Sequence, residues 1–293
     1  MSTVQTSLTL SGAAESLWAQ LHPAWPGFTA EVLPEIDSTN TELLRRYKTH
    51  TQAQTLAQGF GAQAPDAPGQ EAFGVAVAPT LLLAERQTAG RGRLGRVWSS
   101  DATSLTFSLG LNLRPQDWSG LSLVVGLAAA QSLSPDPGLG LKWPNDLWWQ
   151  ERKLGGILIE TASSARPSGP ARYAVIGIGL NVRLPDDTVA AGLTTAPAAL
   201  IELPQPLNAA AALLRVVPAV MAAVREFERS GFATFAQAFA ERDVLKGRTV
   251  QLSQDREVLQ GEAAGVDSSG ALLVHTAAGL QRVLSSEVSV RPR

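Results

Sequence analysis

The chain alternates between apolar segments and polar segments rich in glycine, and the spacing of the apolar residues predicts both strands and helices. Short apolar or alternating runs predict strands at 30–36, 75–84, 104–113, 153–160 and 173–182. Longer apolar or amphipathic runs predict helices at 13–21, 41–47, 119–134, 209–228 and 232–241. A turn at 150–152 is predicted to lead into the strand at 153–160. Together these segments are long enough to bury a large core.

The C-terminal part of the chain has a different pattern, typical of a small all-β domain. Its short strands are separated by turns rich in Asp, Ser and Gly, and they fall at 241–252, 257–266, 271–275 and 281–284. The sequence therefore predicts an extension at 1–28, a large domain at 29–241 and a small domain at 242–293. Within the large domain, residues 48–73 are rich in Gln, Ala, Gly and Pro, and we interpret them as a surface loop.

Composition narrows the classes of function. The 293 residues include 24 Lys and Arg against 26 Asp and Glu, so no overall positive field attracts nucleic acid or acidic membranes. There is no cysteine, which excludes disulfides, thiolate metal sites and a Cys nucleophile. The N-terminus lacks the pattern of a signal peptide, and no apolar run reaches the length of a membrane span. We expect a cytoplasmic protein in which any anion binding is local.

One segment concentrates positive charge and glycine. It follows the predicted strand at 75–84 and reads Gly90-Arg91-Gly92-Arg93-Leu94-Gly95-Arg96. Glycines allow the backbone to approach a ligand, and arginine guanidinium groups match phosphate and carboxylate oxygens in pairs. We interpret this basic loop as one that closes over an anion. A solvated loop or a nonspecific nucleic-acid patch is the alternative.

Polar residues cluster where other predicted strands end. Ser38, Thr39 and Asn40 precede a predicted helix, so they cap it, face a ligand at its N-terminus, or do both. Asn145 and Asp146 follow Trp143-Pro144 and form either an ordinary Asx turn or part of a site.

A lysine and two pairs of glycines complete the pattern. Lys153 precedes Gly155-Gly156 at the mouth of a strand, where its amine reaches a ligand or is simply exposed. Gly177 and Gly179 interrupt a buried strand, as expected where another group presses against the backbone, and Asn181 ends that strand.

Five of these motifs, in this order, resemble the signature of biotin protein ligases, also called biotin–[acetyl-CoA-carboxylase] ligases. They are Ser38-Thr39-Asn40, Gln87 with Gly-Arg-Gly-Arg-Leu-Gly-Arg and Trp98, Lys142-Trp-Pro-Asn-Asp, Arg152-Lys-Leu-Gly-Gly-Ile-Leu and Gly177-Ile-Gly-Leu-Asn-Val. The resemblance spans about residues 33 to 291 and is far more specific than a single glycine-rich loop. This sequence has Leu94 where many relatives carry Arg, and Gly155 where many carry Ala.

The resemblance implies a mixed α/β (α+β) catalytic domain like that of class II aminoacyl-tRNA synthetases, with helices on a mostly antiparallel sheet. A small C-terminal SH3-like β-barrel follows it. Some family members carry an N-terminal winged-helix repressor domain. Since residues 1–28 are too few for one, the sequence resembles the monofunctional class, and we expect no DNA binding.

The resemblance also implies roles for individual residues. Ser38, Thr39, Asn40 and Gln87 are expected to hold biotin, and Arg91, Gly92 and Arg93 to close over its carboxylate and the ATP phosphates. Lys153 is expected to bridge the carboxylate and the α-phosphate, and it is the predicted catalytic residue together with Arg91 and Arg93. Trp98 and Asn181 are expected to contact the adenylate, and Asn145 and Asp146 to orient the incoming lysine or the metal. The remaining expected binding residues are Gly90, Arg96, Lys142, Gly155 and Gly156.

The implied reaction is ATP-dependent ligation of biotin, through biotinyl-5′-AMP, to a lysine of the biotin carboxyl carrier protein of acetyl-CoA carboxylase. Mg²⁺ is expected to ride on the ATP phosphates rather than in a protein cage, since no carboxylate cluster is present. Two alternatives are a lipoate–protein ligase of the same fold and a non-catalytic biotin-binding regulator. The sequence leaves the oligomeric state open, with a homodimer as one option.

Overall fold

The computed structural model describes residues 8–59, 77–100, 103–163, 171–186, 193, 195–254, 257–284 and 288–292. The helices in that part of the chain are α1 (Leu10–Leu21), α2 (Thr39–Gly59), α3 (Leu121–Leu133), α4 (Ala209–Ser230) and α5 (Ala236–Ala240). The first seven strands are β1 (Thr29–Ile36), β2 (Thr80–Gln87), β3 (Ser104–Leu113), β4 (Leu139–Lys142), β5 (Asp146–Trp149), β6 (Arg152–Ala162) and β7 (Arg172–Asn181). The last five are β8 (Thr249–Gln254), β9 (Glu257–Val266), β10 (Leu272–Thr276), β11 (Gly279–Val283) and β12 (Val288–Pro292).

Seven strands form a mixed, mostly antiparallel sheet in the order β1-β2-β3-β7-β6-β5-β4. The pair β1/β2 is parallel, whereas β2/β3, β4/β5 and β5/β6 are antiparallel. The remaining strands form a second, five-stranded sheet in the order β11-β10-β9-β8-β12. The predicted fold class, a mixed α/β domain followed by a small all-β domain, is confirmed. The domain boundary after Glu241 stays a prediction.

The chain divides into two compact units, each built from two stretches of sequence. The first contains the described residues within Met1–Arg114 and Leu158–Gly179. Here α2 packs on the sheet through Leu43 and Tyr47, and the Tyr47 ring stacks on Tyr173 with centroids 4.5 Å apart. Burial raises the pKa of the Tyr173 hydroxyl to about 12.

The second unit contains the described residues within Pro115–Ile157 and Leu180–Arg293. Its apolar helix α3 is buried on most of its surface and packs against α4. The buried side chain of Arg242 donates hydrogen bonds to four backbone carbonyls just after α3, those of Ser134, Pro135, Asp136 and Leu139, at 2.8–3.2 Å. These bonds stabilise the connection between α3 and β4, because a buried carbonyl left without a donor is costly.

Several elements differ from the sequence prediction: the strand predicted at 241–252 is found as β8 from Thr249 to Gln254, and β4 and β12 were not predicted. Helix α2 continues from Thr39 to Gly59, so the interpretation of residues 48–59 as surface loop is wrong. The rest of the interpreted loop, 60–73, lies outside the described residues. The segment 48–58 contains no Gly or Pro, and its Ala and Gln residues favour a helix that has already begun.

Helix α1 confirms the predicted helix at 13–21 and buries Ala13, Ala14, Leu17 and Leu21. Among the described residues, no helix is both long enough and apolar enough to cross a membrane.

Candidate active site

The first group of candidate residues lies in the first unit, where β1 ends and α2 begins. Ser38, Thr39 and Asn40 are each only 3% exposed. Because β1 and β2 are parallel with Ile36 opposite Gln87, the end of β2 brings Gln87 beside this turn. The Gln87 Oε1 atom accepts a hydrogen bond from the Thr39 amide at 2.8 Å and lies 3.2 Å from the Thr39 hydroxyl. The four predicted biotin residues therefore form one cluster.

The side chain of Asn40 is fixed on every side. Its amide nitrogen donates to the Leu158 carbonyl at 3.2 Å and to the Glu160 Oε2 atom at 3.0 Å, and its Oδ1 atom accepts from the Ser108 hydroxyl at 2.7 Å. A side chain at Gly177 would overlap Asn40 Oδ1. The expectation that a group presses against the backbone at Gly177 is confirmed.

Three hydroxyl residues of this cluster were missed by the sequence analysis. Ser108 on β3 is fully buried, with its hydroxyl 2.7 Å from that of Thr39. The hydroxyl of Thr106, two residues earlier, lies 3.2 Å from the hydroxyl of the buried Ser100. The Ser100 hydroxyl in turn accepts a hydrogen bond from the backbone amide of Gln87. Every second residue of Ser104–Ser108 is polar, and since alternate residues of a strand share a face, this alternation was a usable signal.

The basic loop is a narrow hairpin. The Trp98 amide donates to the Gly90 carbonyl at 2.9 Å, and the Gly92 amide donates to the Arg96 carbonyl at 2.7 Å. Residues Arg93–Gly95 form a 3₁₀ turn at its tip, where Leu94 and Gly95 have φ of 56° and 71°. A Cβ atom at Gly90 would overlap the Trp98 carbonyl oxygen, so the close strands of the hairpin require a glycine there.

The side chains of the hairpin face different surroundings. Arg91 is half-exposed, and its Nη2 atom pairs with the Glu160 Oε1 atom at 3.0 Å. Arg93 is half-buried and Arg96 is exposed. The Trp98 indole lies against Gly179, where any side chain would overlap the ring. The second expected close approach in β7 is therefore also confirmed.

The second group of candidate residues lies in the second unit, around the β4/β5 hairpin. Lys142 stands opposite Asp146, with a cis Trp143–Pro144 bond in the turn between them. The Trp143 indole is buried and donates to the Gly270 carbonyl at 3.0 Å. The Asn145 side-chain amide donates to the Ile157 carbonyl at 2.7 Å, which holds the turn against β6.

Lys153 lies at the centre of this second group. Its Nζ atom pairs with Asp146 Oδ1 at 2.7 Å, with Lys153 29% exposed and Asp146 16% exposed. Asp146 stands opposite Gly156 and Trp148 opposite Lys153, with a shift of register between them. This bulge adds one residue to β6 and so places Lys153 on the same face as Asp146, where regular pairing would point it to the other face. Gly155, opposite Leu147, is buried within the same register.

The backbone of Lys153 is held from both sides. Its amide donates to the Ala196 carbonyl, and its carbonyl accepts from the Ala198 amide, both at 2.8 Å. The side-chain amide of Asn181 donates to the Lys153 carbonyl at 3.1 Å and to the Ala198 carbonyl at 3.0 Å. Asn181 therefore holds the backbone at Lys153, and its expected contact with the adenylate stays a prediction.

Both groups combine cationic or amide side chains with close glycines, and this is the chemistry of anion binding. Lys142 adds a further cation, with its Nζ atom 5.0 Å from the centre of the Trp148 ring. Among the described residues, there is no group of three or more His, Cys, Asp or Glu side chains that could hold a metal ion.

Two family models match the chain. The Biotin/lipoate A/B protein ligase family matches residues 72–181, and the Biotin protein ligase C terminal domain matches residues 247–291. The first match contains the basic loop, Lys153 and the glycines of β7. The second contains β8 to β11 and most of β12.

Individual relatives match this chain over most of their own length. The chain is 33% identical to the bifunctional ligase/repressor BirA of Escherichia coli (strain K12) over 274 residues, covering 90% of this chain and 75% of that protein. It is 31% identical to the biotin--[acetyl-CoA-carboxylase] ligase of Paracoccus denitrificans, and the match covers 88% of this chain and 98% of that protein. Among solved structures, it resembles a biotin protein ligase from Aquifex aeolicus in complex with biotin and ATP. The TM-score is 0.66 at 27% identity, over 90% of this chain and 99% of that one.

Proposed function

This chain belongs to the biotin protein ligase family, and we propose that it attaches biotin to one lysine of the biotin carboxyl carrier protein of acetyl-CoA carboxylase. The biotin carboxylate attacks the α-phosphorus of ATP, giving biotinyl-5′-AMP and diphosphate. The carrier lysine then attacks this mixed anhydride and releases AMP. Support comes from the Paracoccus relative, which is named as this ligase, and from the Aquifex relative, whose structure contains biotin and ATP.

The fixed position of the Lys153 ammonium supports this reaction most directly. The first nucleophile is already an anion, so the reaction needs positive charge and positioning more than a base or a covalent nucleophile. Lys153 supplies that charge from a backbone bonded on two sides, with its ammonium held 2.7 Å from Asp146. We propose that it bridges the biotin carboxylate and the α-phosphate.

We propose that the Ser38–Asn40 turn and Gln87 hold the ring system of biotin. The ureido group of that ring has both donors and acceptors, which hydroxyl and amide side chains can pair. The cluster offers both kinds of group, and the orientation of the Asn40 amide is set by the bond it accepts from Ser108 and the bond it donates to Glu160.

We propose that the remaining candidates serve the nucleotide. They are Gly90, Arg96, Trp98, Lys142, Asn145, Asp146, Gly155, Gly156 and Asn181. Mg²⁺ bound to the ATP phosphates would neutralise part of their charge, and the single carboxylate of Asp146 fits a metal held mainly by phosphate oxygens. We also propose that Asp146 orients the carrier lysine once the adenylate has formed. We propose that the reaction takes place in the cytoplasm, and we expect no DNA binding.

We propose that the basic loop closes over the adenylate and that Arg93 binds it there. We expect Arg93→Ala to release biotinyl-AMP roughly ten- to a hundredfold faster, because a charge-assisted hydrogen bond to the adenylate contributes about 1.5–3 kcal/mol. The release rate is measured by chasing labelled adenylate with unlabelled biotin and ATP. Arg229→Ala, on the exposed side of α4, removes the same charge elsewhere and should leave the rate unchanged. An unchanged rate in Arg93→Ala would contradict loop closure.

The activity itself is tested with the purified chain, ATP and Mg²⁺. We expect diphosphate release only when biotin is added, followed by the mass of one biotinyl group on one lysine of an added carrier domain. Diphosphate release with lipoate and not with biotin would assign the chain to the lipoate branch. Biotin binding without diphosphate release would make it a non-catalytic biotin-binding protein.

A further inference from the structure

Glu160, on β6, binds two residues of the first group with one carboxylate. Its Oε2 atom accepts from the Asn40 side-chain amide at 3.0 Å, and its Oε1 atom pairs with Arg91 Nη2 at 3.0 Å. Arg91 Nη1 lies 3.4 Å from both Glu160 Oε2 and the Thr41 hydroxyl. The turn at the start of α2 and the basic loop therefore meet at this side chain.

The chemistry of a carboxylate makes this double contact specific. An ionised carboxylate only accepts hydrogen bonds, so it satisfies an amide and a guanidinium group at the same time. A glutamine has one accepting oxygen, and its amide nitrogen would face either the Asn40 nitrogen or the Arg91 guanidinium, which are both donors. The position therefore requires the charge as well as the shape of glutamate.

We propose that Glu160 is a positioning residue for the ligase reaction, which fixes Arg91 of the basic loop relative to Asn40. This inference rests on the proposed role of the loop in retaining biotinyl-AMP. With Glu160 in place, Arg91 and Asn40 are bound by the same carboxylate. The basic loop is therefore partly ordered before the adenylate forms. Removing the carboxylate takes away the ion pair that orders Arg91 before the adenylate forms, so more of that ordering must occur on binding, which weakens retention.

A second Arg–Glu pair in the same unit provides a matched control. Arg86 pairs with Glu35 at 2.6 Å, and both side chains are more than half exposed, at 62% and 52%. Glu160 is only 22% exposed and also holds the buried Asn40. Exposed pairs contribute little, so Glu35→Gln removes the same charge from β1 without the effect on the loop.

The experiment measures the rate of biotinyl-AMP release for Glu160→Gln, Glu35→Gln, Arg91→Ala and the double variant Arg91→Ala/Glu160→Gln. We expect release to be roughly five- to tenfold faster in Glu160→Gln, because a hydrogen bond to a charged group is lost. Glu35→Gln should release biotinyl-AMP at the same rate as the original protein. If Glu160 acts through Arg91, the double variant should release no faster than Arg91→Ala alone.

The outcomes separate this inference from the role of the loop. Faster release in Arg91→Ala with an unchanged rate in Glu160→Gln would overturn the role of Glu160 and leave that of the loop. An unchanged rate in Arg91→Ala would overturn both. Additive effects in the double variant would mean that Glu160 supports the fold rather than Arg91, and would also overturn the inference. If Glu160→Gln does not fold, Glu160→Asp replaces it. The aspartate side chain is one methylene shorter and cannot reach both Asn40 and Arg91. An unchanged rate of biotinyl-AMP release in Glu160→Asp therefore overturns the proposal.

Discussion

Replacing Lys153 by alanine should lower the rate of biotinyl-AMP formation by roughly 10²- to 10³-fold, the range found when one preorganised group that stabilises transition-state charge is removed. The Lys153 ammonium is held at 2.7 Å from Asp146, and its backbone is bonded to Ala196 and Ala198. We propose that this charge acts where the carboxylate and the α-phosphate come together. Biotin binding without ATP should change much less, because we assign the biotin ring to the Ser38–Asn40 turn and Gln87 and assign Lys153 to the junction of carboxylate and α-phosphate.

The measurement is a single-turnover assay of diphosphate release with saturating biotin and ATP, next to calorimetric binding of biotin alone. Lys48→Ala removes a lysine from the exposed side of α2 and serves as the control. Lys153→Arg keeps the charge with a different shape and should recover only part of the rate. Adenylate formation at the original rate in Lys153→Ala would exclude this lysine as the main source of positive charge. A loss of biotin binding as large as the loss of rate would place Lys153 in the biotin site.

Replacing Gly177 by alanine should weaken biotin binding by roughly ten- to a hundredfold, since overpacking of a buried site costs about 1–3 kcal/mol. The added methyl group would overlap Asn40 Oδ1. Asn40 cannot turn away freely, because its amide is bonded to Ser108, Leu158 and Glu160. The methyl group must therefore displace a side chain that we assign to biotin.

The double variant Asn40→Ala/Gly177→Ala tests this cause. Once Asn40 is truncated, the methyl group at position 177 has room, so the double variant should bind biotin as well as Asn40→Ala alone. Calorimetric titration of biotin measures the affinity, and thermal unfolding reports whether each variant is folded. Original affinity in Gly177→Ala would remove Asn40 from the proposed biotin site. A further loss in the double variant would mean that the methyl group disturbs β7 itself.

Much of the fold follows from local spacing in the sequence. The strand at 104–113 and the helix at 119–134 are found within two residues of the predicted ends, because alternation and long apolar runs are local signals. The predicted turn at 150–152 is also found, with Gln150 and Glu151 at φ of 49° and 61°. The end of α2 was missed because the segment after Tyr47 has a composition common in loops but no residue that ends a helix.

The candidate site was predicted less completely. Motif order identified Asn40, Arg91 and Lys153, but neither Ser108 nor Glu160 was recognised. Both of these residues contact partners distant in sequence: Ser108 is 68 residues from Asn40, and Glu160 is 69 from Arg91. Contacts across a sheet depend on which strands become neighbours, and no local pattern states that.

The sequence by itself determined the elements, the glycines that other groups press against, and the order of motifs that places the chain in its family. Only the tertiary structure decided what each motif contacts. The register shift between β5 and β6 is the clearest case, since one extra residue places the Lys153 side chain on the face of Asp146. Strand register is set by pairing between distant segments, and a shift of one residue exchanges the two faces of a strand. For that reason the sequence predicted a lysine at the mouth of a strand, while its carboxylate partner emerged only from the folded chain.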